Sequence, residues 1–235
     1  MKGRMKTYDF IVIGSGIAGL SFALRAAKHG TVGVVTKRGA SDSNTAWSQG
    51  GVACVMSEED SFDQHVEDTL DAGAGLCDED VVRTIIEEGP ERMKDLMDCG
   101  VEFDMRERED GVLEFDLGRE GGHSKRRVLH HKDATGAEIE ARLVAAAEAS
   151  ENIEIMEHHY AVDLITTSKL GFSAEDRCIG LYVLDQKTGE VLTMRSDRVV
   201  LATGGCGKVY LYTTNPDVAT GDGISLAPGL DPAGI

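Results

Sequence analysis

The stretch Tyr8–Thr36 has the sequence YDFIVIGSGIAGLSFALRAAKHGTVGVVT, and it decides the fold that we predict. Its first six residues, Tyr8–Ile13, are an apolar run that ends at a glycine turn, as a buried strand does. Residues 17–29 repeat apolar side chains at helical spacing, and Gly30 is placed to end that helix. Val32–Thr36 is a second short run of β-branched residues. The stretch therefore predicts a strand, a crossover helix and a parallel strand.

The turn between the first strand and the helix carries three glycines, Gly14, Gly16 and Gly19, in the spacing G-x-G-x-x-G. The first permits a tight turn, the second lets a diphosphate approach the backbone, and the third lets helix and strand pack closely. The helix N-terminus adds unpaired N–H groups and the positive end of its dipole. The spacing lies between a strand and a helix, where a dinucleotide site requires it. We expect the cofactor to contact Gly14, Ser15, Gly16, Ile17, Ala18 and Gly19.

The corner after the second strand departs from the usual dinucleotide-binding pattern. No Asp or Glu occurs between Gly30 and Ser41 to accept hydrogen bonds from a ribose, and Lys37 and Arg38 are found there instead. Three interpretations follow: the two cations bind the 2′-phosphate of NADP, Lys37 donates to the adenosine part of FAD, or both are solvated at a strand end. The glycine turn does not choose among them.

The composition restricts the partners and the compartment. The chain has 235 residues and a formal net charge of −17, which opposes binding to nucleic acid or to anionic membrane surfaces. No apolar run approaches the ~20 residues of a membrane span, and Gly14 cuts the first run too short for a signal peptide. The five cysteines are spaced without any C-x-x-C motif, so we expect buried, reduced thiols, no metal centre and a cytoplasmic protein.

The whole chain predicts an α/β fold that is Rossmann-like, with a central parallel sheet, crossover helices and a β-meander. The further helices are predicted over Ser61–Ala74, Asp78–Asp98 and Thr135–Ser150, and Pro90 is expected to break the second or to start a new helix. The further strands are predicted over Ile153–Met156, Ala161–Thr167, Arg177–Asp185, Glu190–Arg195 and Arg198–Ala202. The loop Arg38–Gly51 ends in a helical turn. Short hairpin strands are expected in Gly100–Gly122 at Val101–Phe103, Val112–Leu113 and Phe115–Leu117.

Three segments outside the glycine turn carry a resemblance to a known family. They are Asn44-Thr45-Ala46-Trp47-Ser48-Gln49-Gly50-Gly51, Val200-Leu201-Ala202-Thr203-Gly204-Gly205, and Thr214-Asn215-Pro216-Asp217 with Thr220-Gly221-Asp222-Gly223. Together with the glycine turn, they resemble the flavin-binding segments of the succinate dehydrogenase/fumarate reductase flavoprotein superfamily. The resemblance runs from about Asp9 to Ala227, and within the superfamily it is strongest to the L-aspartate oxidases.

The resemblance implies FAD as the cofactor and an FAD-binding domain. Small residues at Ser48–Gly51 would let the isoalloxazine lie close to the backbone, and a plain glycine turn is the alternative. Asp222 would contact the flavin, cap the following helix, or do both. Relatives with covalent FAD carry a histidine where this chain has Asn44, so the cofactor is expected to be non-covalent. The implied contacts beyond the glycine turn are Lys37, Asn44, Thr45, Ala46, Trp47, Ser48, Gln49, Gly50, Gly51, Ala202, Thr203, Gly204, Gly205 and Asp222.

Five basic residues fall in the 14 positions from Arg119 to Lys132, together with three histidines. Such a cluster in an acidic chain suits an anionic substrate, and a solvated surface is the alternative. Two of these three histidines, His130 and His131, are adjacent in sequence and form no metal-binding face on a helix, so we interpret them as structural.

The single acid in this stretch is Glu120. The resemblance implies a glutamate here in L-aspartate oxidases, where succinate- and fumarate-acting relatives have an apolar aromatic residue. A carboxylate beside the α-carbon binds the α-ammonium of aspartate and disfavours a dicarboxylate that lacks an amine. An exposed loop carboxylate is the alternative. With Glu120, we expect His123 and Ser124 to act at the catalytic site by hydrogen-bonding substrate or flavin.

The resemblance implies oxidation of L-aspartate to iminoaspartate, with reduced FAD reoxidised by dioxygen or fumarate. This would be the first step of NAD biosynthesis through quinolinate, with quinolinate synthase as a partner. Three rival readings stay open: an NADP-dependent reductase supported by Lys37 and Arg38, a fumarate reductase or succinate dehydrogenase flavoprotein, and a non-catalytic flavin-binding module.

The family's sequence continues beyond the similarity found here. Pro228 and Pro232 would interrupt the last helix, and residues 228–235 are expected to be a tail that does not belong to the family. We therefore expect residues 1–235 to be an incomplete FAD-binding domain, truncated before a capping domain and a C-terminal helical domain. Alone, it is expected to be inactive, because a cap would exclude water and clamp the carboxylates.

Overall fold

A computed structural model describes residues 5–172 and 175–227 of the chain. These residues form two compact units: the first comprises the described residues up to Trp47 and from Leu143 onward, and the second comprises Ser48–Arg142. The expectation of a non-family tail at 228–235, with its two prolines, lies outside the described residues.

The strands of the described residues are β1 (Met5–Thr7), β2 (Phe10–Ile13), β3 (Val32–Val35), β4 (Val52–Ala53), β5 (Met105–Glu107), β6 (Leu113–Phe115), β7 (Val128–Leu129), β8 (Ile153–Met156), β9 (His159–Thr166), β10 (Cys178–Asp185), β11 (Val191–Arg195) and β12 (Val199–Leu201). The helices are α1 (Ile17–Ala26), α2 (Asn44–Trp47), α3 (Phe62–Ala72), α4 (Glu79–Asp98), α5 (Thr135–Glu148) and α6 (Asp222–Leu226). Gly207–Val209 is one turn of 3₁₀-helix.

The first unit is built on a parallel sheet with the strand order β12-β2-β3-β8, which confirms the predicted central sheet. The crossover helix α1 between β2 and β3 lets these two neighbouring strands run parallel. Val12 and Val34 on one face of the sheet pack with Ala23 and Ala26 of α1, and all four are buried. Small side chains on α1 let the helix lie close to the sheet.

The other face of this sheet packs against a second sheet with the order β1-β11-β10-β9. The core between them contains Ile11 and Val35 from the parallel sheet and Leu181 and Met194 from the second sheet. The antiparallel strands β9, β10 and β11 confirm the predicted meander. Strand β1, which pairs in parallel with β11, was not predicted, because three residues before the first apolar run give no periodic signal.

The second unit contains the helices α3 and α4. Asp78 caps α4 by accepting hydrogen bonds from the backbone N–H groups of Asp80 and Val81. Pro90 lies inside α4 and neither ends nor restarts it, so the predicted interruption is wrong. The buried residues Ile86 and Met93 flank the proline, and their burial stabilises the helix on both sides of it.

The predicted irregular stretch of the second unit contains one hairpin, formed by β5 and β6. Val101 and Phe103 are buried but belong to no strand, so their predicted strand is wrong, and the second strand is Leu113–Phe115. All five cysteines are free, but only Cys54 is buried, which corrects the expectation of buried thiols. Within the described part of the chain, no helix is long and apolar enough to cross a membrane.

Candidate functional site

The glycine turn has the geometry that its sequence predicts. Gly14 has a φ of +111°, and a β-carbon on it would lie 2.2 Å from the carbonyl oxygen of Ala202. A β-carbon on Gly19 would lie 2.0 Å from the carbonyl oxygen of Gly14. Gly14 is therefore required by both its backbone conformation and its packing, and Gly19 by the close approach of helix and turn.

The start of α1 faces the turn with little side-chain cover. Gly16 is the N-cap residue and has no side chain with which to cap the helix. The Thr45 hydroxyl accepts a hydrogen bond from the Ile17 backbone N–H at 3.0 Å, and the buried Ser15 hydroxyl donates to Thr36 Oγ1 at 3.1 Å. The turn, α2 and the end of β3 are thus joined around one helix N-terminus, which favours an anion there.

A cleft of about 550 Å³ opens beside this helix N-terminus, within the first unit. Ile13, Val35 and Leu201, the last residues of three parallel strands, line it. This position at the carboxyl ends of the strands is where open α/β sheets bind ligands. The predicted cofactor contacts that line the cleft are Gly14, Ser15, Gly16, Ile17, Ala18, Lys37, Asn44, Thr45, Ala202, Thr203, Gly204, Gly205 and Asp222.

Several predicted contacts are not part of the cleft lining. Gly19 packs against the turn, while Ala46 and Trp47 lie in α2 outside the lining. Ser48, Gln49, Gly50 and Gly51 belong to the second unit. These four stay predictions for the flavin ring.

Sequence reasoning missed some of the lining. Thr36 and Ser43 line the cleft as buried polar residues, and a polar residue at the end of an apolar strand was an available signal for Thr36. His159, Tyr160 and Ala161, at the start of the meander, also line it. They had no sequence signal, because they reach the cleft only through the packing of one sheet on the other.

Lys37 is held by the segment that includes Asp222. Its ammonium nitrogen lies 2.6 Å from Thr220 Oγ1 and 2.5 Å from Asp222 Oδ2. Burial acts to raise the pKa of Asp222, but hydrogen bonds from Lys37 and Thr220 outweigh it and hold the pKa below its usual range. Asp222 is the first residue of α6 and Gly221 is the N-cap, so the capping role is wrong. The cleft thus contains a paired cation and anion from distant segments.

Glu120 lies next to the predicted flavin-ring segment, inside the second unit. Its Oε1 is 3.7 Å from the position that a β-carbon on Gly50 would occupy, and its side chain is exposed. A β-carbon on Gly51 would lie 2.2 Å from the carbonyl oxygen of Leu129. Gly51 is therefore required where β4 pairs with β7, whereas Gly50 has open space apart from the carboxylate.

His123 and Ser124 follow Glu120 in the chain, and both contact charged side chains that are buried or half-buried, Arg127 and Asp68. Asp68 Oδ2 accepts hydrogen bonds from both the backbone N–H and the hydroxyl of Ser124, each at 2.8 Å. Arg127 Nη1 donates to the same oxygen at 2.6 Å and lies 3.3 Å from His123 Nδ1. Arg127 also forms a two-bond pair with Asp60, both bonds at 2.8 Å.

The basic cluster therefore divides in two. Arg127 is fully buried and neutralised by two carboxylates, so it is not free for a substrate. Its four other members are exposed, namely Arg119, Lys125, Arg126 and Lys132. His130 Nδ1 lies 3.1 Å from Asp104 Oδ2 and His131 Nδ1 lies 3.1 Å from the carbonyl oxygen of Glu102, contacts that agree with the structural role we predict for both.

The chain matches the FAD binding domain family over residues 9–230, and it belongs to that family. Among curated proteins it is 51% identical to L-aspartate oxidase 1 of Ralstonia nicotianae over 94% of the chain, and 50% identical to the L-aspartate oxidase of Pseudomonas aeruginosa over a similar share. The chain spans 41% of the length of each of these relatives.

Solved structures give the same fold. An E. coli quinol fumarate reductase matches with a TM-score of 0.85 and 29% identity, over 95% of this chain and 37% of that one. A flavocytochrome c3 fumarate reductase matches with a TM-score of 0.80 and 25% identity, over 94% of this chain and 40% of that one. The Rossmann-like FAD-binding fold predicted from the sequence is confirmed.

FAD is therefore the cofactor, and the cleft residues fit it. Glycines stand where a side chain would collide with the turn or enter the cleft, and the helix N-terminus suits a diphosphate. The volume is within the range of about 300–1,000 Å³ that small-molecule sites have. The NADP interpretation of Lys37 and Arg38 is left without support.

Proposed function

We propose that the chain is the FAD-binding part of an enzyme that oxidises L-aspartate to iminoaspartate. The observation that carries the proposal is the 51% identity, over 94% of the chain, to a protein named L-aspartate oxidase. The exposed carboxylate of Glu120 beside Gly50 supports the same substrate, because it offers a partner to an α-ammonium group. The proposal concerns the activity of a longer protein, since the relatives are more than twice as long as this chain.

In the proposed reaction, the α-hydrogen of aspartate leaves with its electron pair, the amine loses a proton and a C=N bond forms. FAD supplies the acceptor for that hydride when it is bound. The residues of the first unit would hold the cofactor: the turn Gly14–Gly19 would bind the diphosphate, and Lys37 and Asp222 would bind polar groups of the cofactor. Asn44 supports non-covalent binding, because its side-chain amide cannot form a covalent bond to the flavin ring.

In the second unit, Glu120 orients the substrate by its ammonium group. Ser48–Gly51 would contact the flavin ring, and Gly50 has open space beside the Glu120 carboxylate. A charge-assisted hydrogen bond of this kind contributes about 1.5–3 kcal/mol. Glu120 also disfavours succinate, which would bring negative charge near the carboxylate without an ammonium to neutralise it.

The electron acceptor, partner and compartment belong to the same proposal. Dioxygen or fumarate would accept the electrons that the bound cofactor takes from the substrate, and the fumarate reductases among the solved structures support fumarate. The product suits a following condensation by quinolinate synthase on the way to NAD. We assign the protein to the cytoplasm, in agreement with five free cysteines.

A succinate- or fumarate-specific flavoprotein is the second candidate, favoured by the fold match to fumarate reductase. Anaerobic mixing of the FAD-loaded chain with L-aspartate or succinate separates the two. The mixture is repeated with the remaining part of the Ralstonia nicotianae relative supplied separately. With the chain alone, which we expect to be inactive, neither ligand should bleach the flavin absorption; with the remaining part of the relative present, L-aspartate should bleach it and succinate should leave it unchanged. Bleaching by succinate alone, under either condition, would support the second candidate and contradict the proposal.

A further inference from the structure

The segment from Glu120 to Ser124 is a turn supported from behind by four buried or half-buried groups of the second unit. The His123 backbone N–H donates to the Glu120 carbonyl at 3.3 Å, and Gly122 has a φ of +85°. Behind the turn lie Asp60, His65, Asp68 and Arg127. Arg127 has no exposed side-chain surface, and Asp68 is 11% exposed. A fully buried arginine needs such partners, because an unpaired buried charge is strongly destabilising.

Asp68 determines the hydrogen-bonding direction of Ser124. Burial acts to raise the pKa of Asp68, but hydrogen bonds from Ser124 and Arg127 lower it to about 2, so the carboxylate is ionised at neutral pH. An ionised carboxylate accepts hydrogen bonds and donates none. The Ser124 hydroxyl must therefore donate its single hydrogen to Asp68 Oδ2, at 2.8 Å. Towards any ligand, Ser124 Oγ then offers lone pairs only.

Arg127 determines the tautomer of His123. A guanidinium has five N–H donors and no acceptor. Its Nη1 lies 3.3 Å from His123 Nδ1, so Nδ1 is the acceptor of that contact. The proton of the neutral imidazole is then on Nε2, which can donate to a ligand. The His65 ring packs edge-on against His123 with 5.6 Å between ring centroids, and this contact restrains the ring plane.

We propose that Arg127 and Asp68 are positioning residues that give the Glu120–Ser124 turn a fixed pattern of donors and acceptors, complementary to an amino acid. Glu120 and Ser124 present acceptors, which match the three donors of an ammonium group. His123 presents the Nε2–H donor, which matches a carboxylate. The ligand class is an α-amino carboxylate, so this inference rests on the proposed function and adds the residues that set its specificity.

The first test measures the tautomer directly in the unmodified chain. Two-dimensional ¹⁵N–¹H spectra of the histidine rings, at a pH about two units above the usual histidine pKa of ~6.5, distinguish Nε2–H from Nδ1–H. We expect the resonances that disappear in His123→Gln to show the Nε2–H pattern. An Nδ1–H pattern, or an equal mixture, would overturn the proposal.

The second test removes the contact between Arg127 and His123 by substitution. Arg127→Gln should allow both tautomers of His123, and Arg127→Lys, which keeps a donor-only cation, should restore the Nε2–H pattern. Arg126→Gln changes the exposed neighbour and should leave the spectrum as it is. If Arg127→Gln does not fold, the spectrum of the unmodified chain still tests the proposal, because an Nδ1–H tautomer of His123 would refute the role of Arg127.

The third test identifies the ligand class by calorimetry on the FAD-loaded chain, with L-aspartate and succinate as the probes. Asp68→Asn frees the Ser124 hydroxyl to point elsewhere, so we expect it to weaken L-aspartate binding about tenfold and to change succinate binding much less. Equal weakening of both would overturn the donor–acceptor pattern. If the tautomer is as expected but the unmodified chain prefers succinate, the positioning role stands and the proposed function fails.

Discussion

The ammonium of Lys37 lies 2.5 Å from the carboxylate of Asp222, although 185 residues separate them in the chain. Both side chains are about one-fifth exposed, and both line the cleft that fits FAD. The pair joins the end of the first βαβ unit to the last described helix. The cleft wall therefore depends on residues from both ends of the first unit.

We expect Lys37→Gln to weaken FAD binding by roughly 10- to 150-fold, the equivalent of one charge-assisted hydrogen bond. The substitution removes a cation from the cleft and leaves Asp222 without its ion pair. Quenching of flavin fluorescence during titration measures the affinity. Arg38→Gln, next in sequence but exposed, is the matched control and should change little. Equal losses in the two variants would mean that overall charge, and not the Lys37 contact, attracts the cofactor.

Gly14→Ala should destabilise the first unit by more than about 3 kcal/mol, because strain at positive φ adds to a backbone collision. The added carbon would lie 2.2 Å from the Ala202 carbonyl oxygen. Gly75→Ala, in the second unit, also falls at a positive φ, +86°, but has nothing within 4 Å of the new carbon. It should cost about 1 kcal/mol. Denaturant unfolding measures the free energy of unfolding of both variants. Similar decreases would show that the backbone shifts to relieve the collision with Ala202 at little cost.

The stability of the second unit should fall as the pH decreases from about 4 towards about 2. The pKa of Asp68 is lower in the folded protein than in the unfolded chain, so its contribution is complete above the unfolded value and is lost on protonation. We expect about 1 kcal/mol from this carboxyl group after screening by solvent. Urea unfolding at several pH values gives the slope.

Asp68→Asn should flatten that slope, since an amide does not titrate. Asp71→Asn changes an exposed residue of the same helix and should keep it. An unchanged slope in Asp68→Asn would assign the acid sensitivity to other carboxylates.

Glu120→Gln should reduce the preference for L-aspartate over succinate by about 10- to 150-fold, because a neutral amide neither pairs with the ammonium nor repels the dicarboxylate. Calorimetric titration of the FAD-loaded protein with each ligand measures the ratio. Glu109→Gln removes an exposed carboxylate elsewhere in the second unit and should leave the ratio intact. A ratio that Glu120→Gln does not change would remove Glu120 from substrate recognition.

Much of the first unit could be predicted because its signals are local. The apolar run, the three glycines and the helical spacing after Gly14 follow from backbone sterics within a few residues. The meander was predicted for the same reason. Pro90 was misjudged, because the packing of Ile86 and Met93 on either side outweighs a local helix-breaking preference.

The candidate site also has parts that local sequence signals predict and parts that depend on tertiary packing. Sequence by itself determined where the phosphate-binding turn lies, since the G-x-G-x-x-G spacing and the two flanking apolar runs are contiguous. Only the tertiary structure decided that Arg127 is neutralised by Asp60 and Asp68, and that Lys37 is paired with Asp222. Charge partners across 59 to 185 residues leave no local pattern, because they meet only after strands and helices have packed. Coulomb energy depends on distance in space, which the order of residues does not contain.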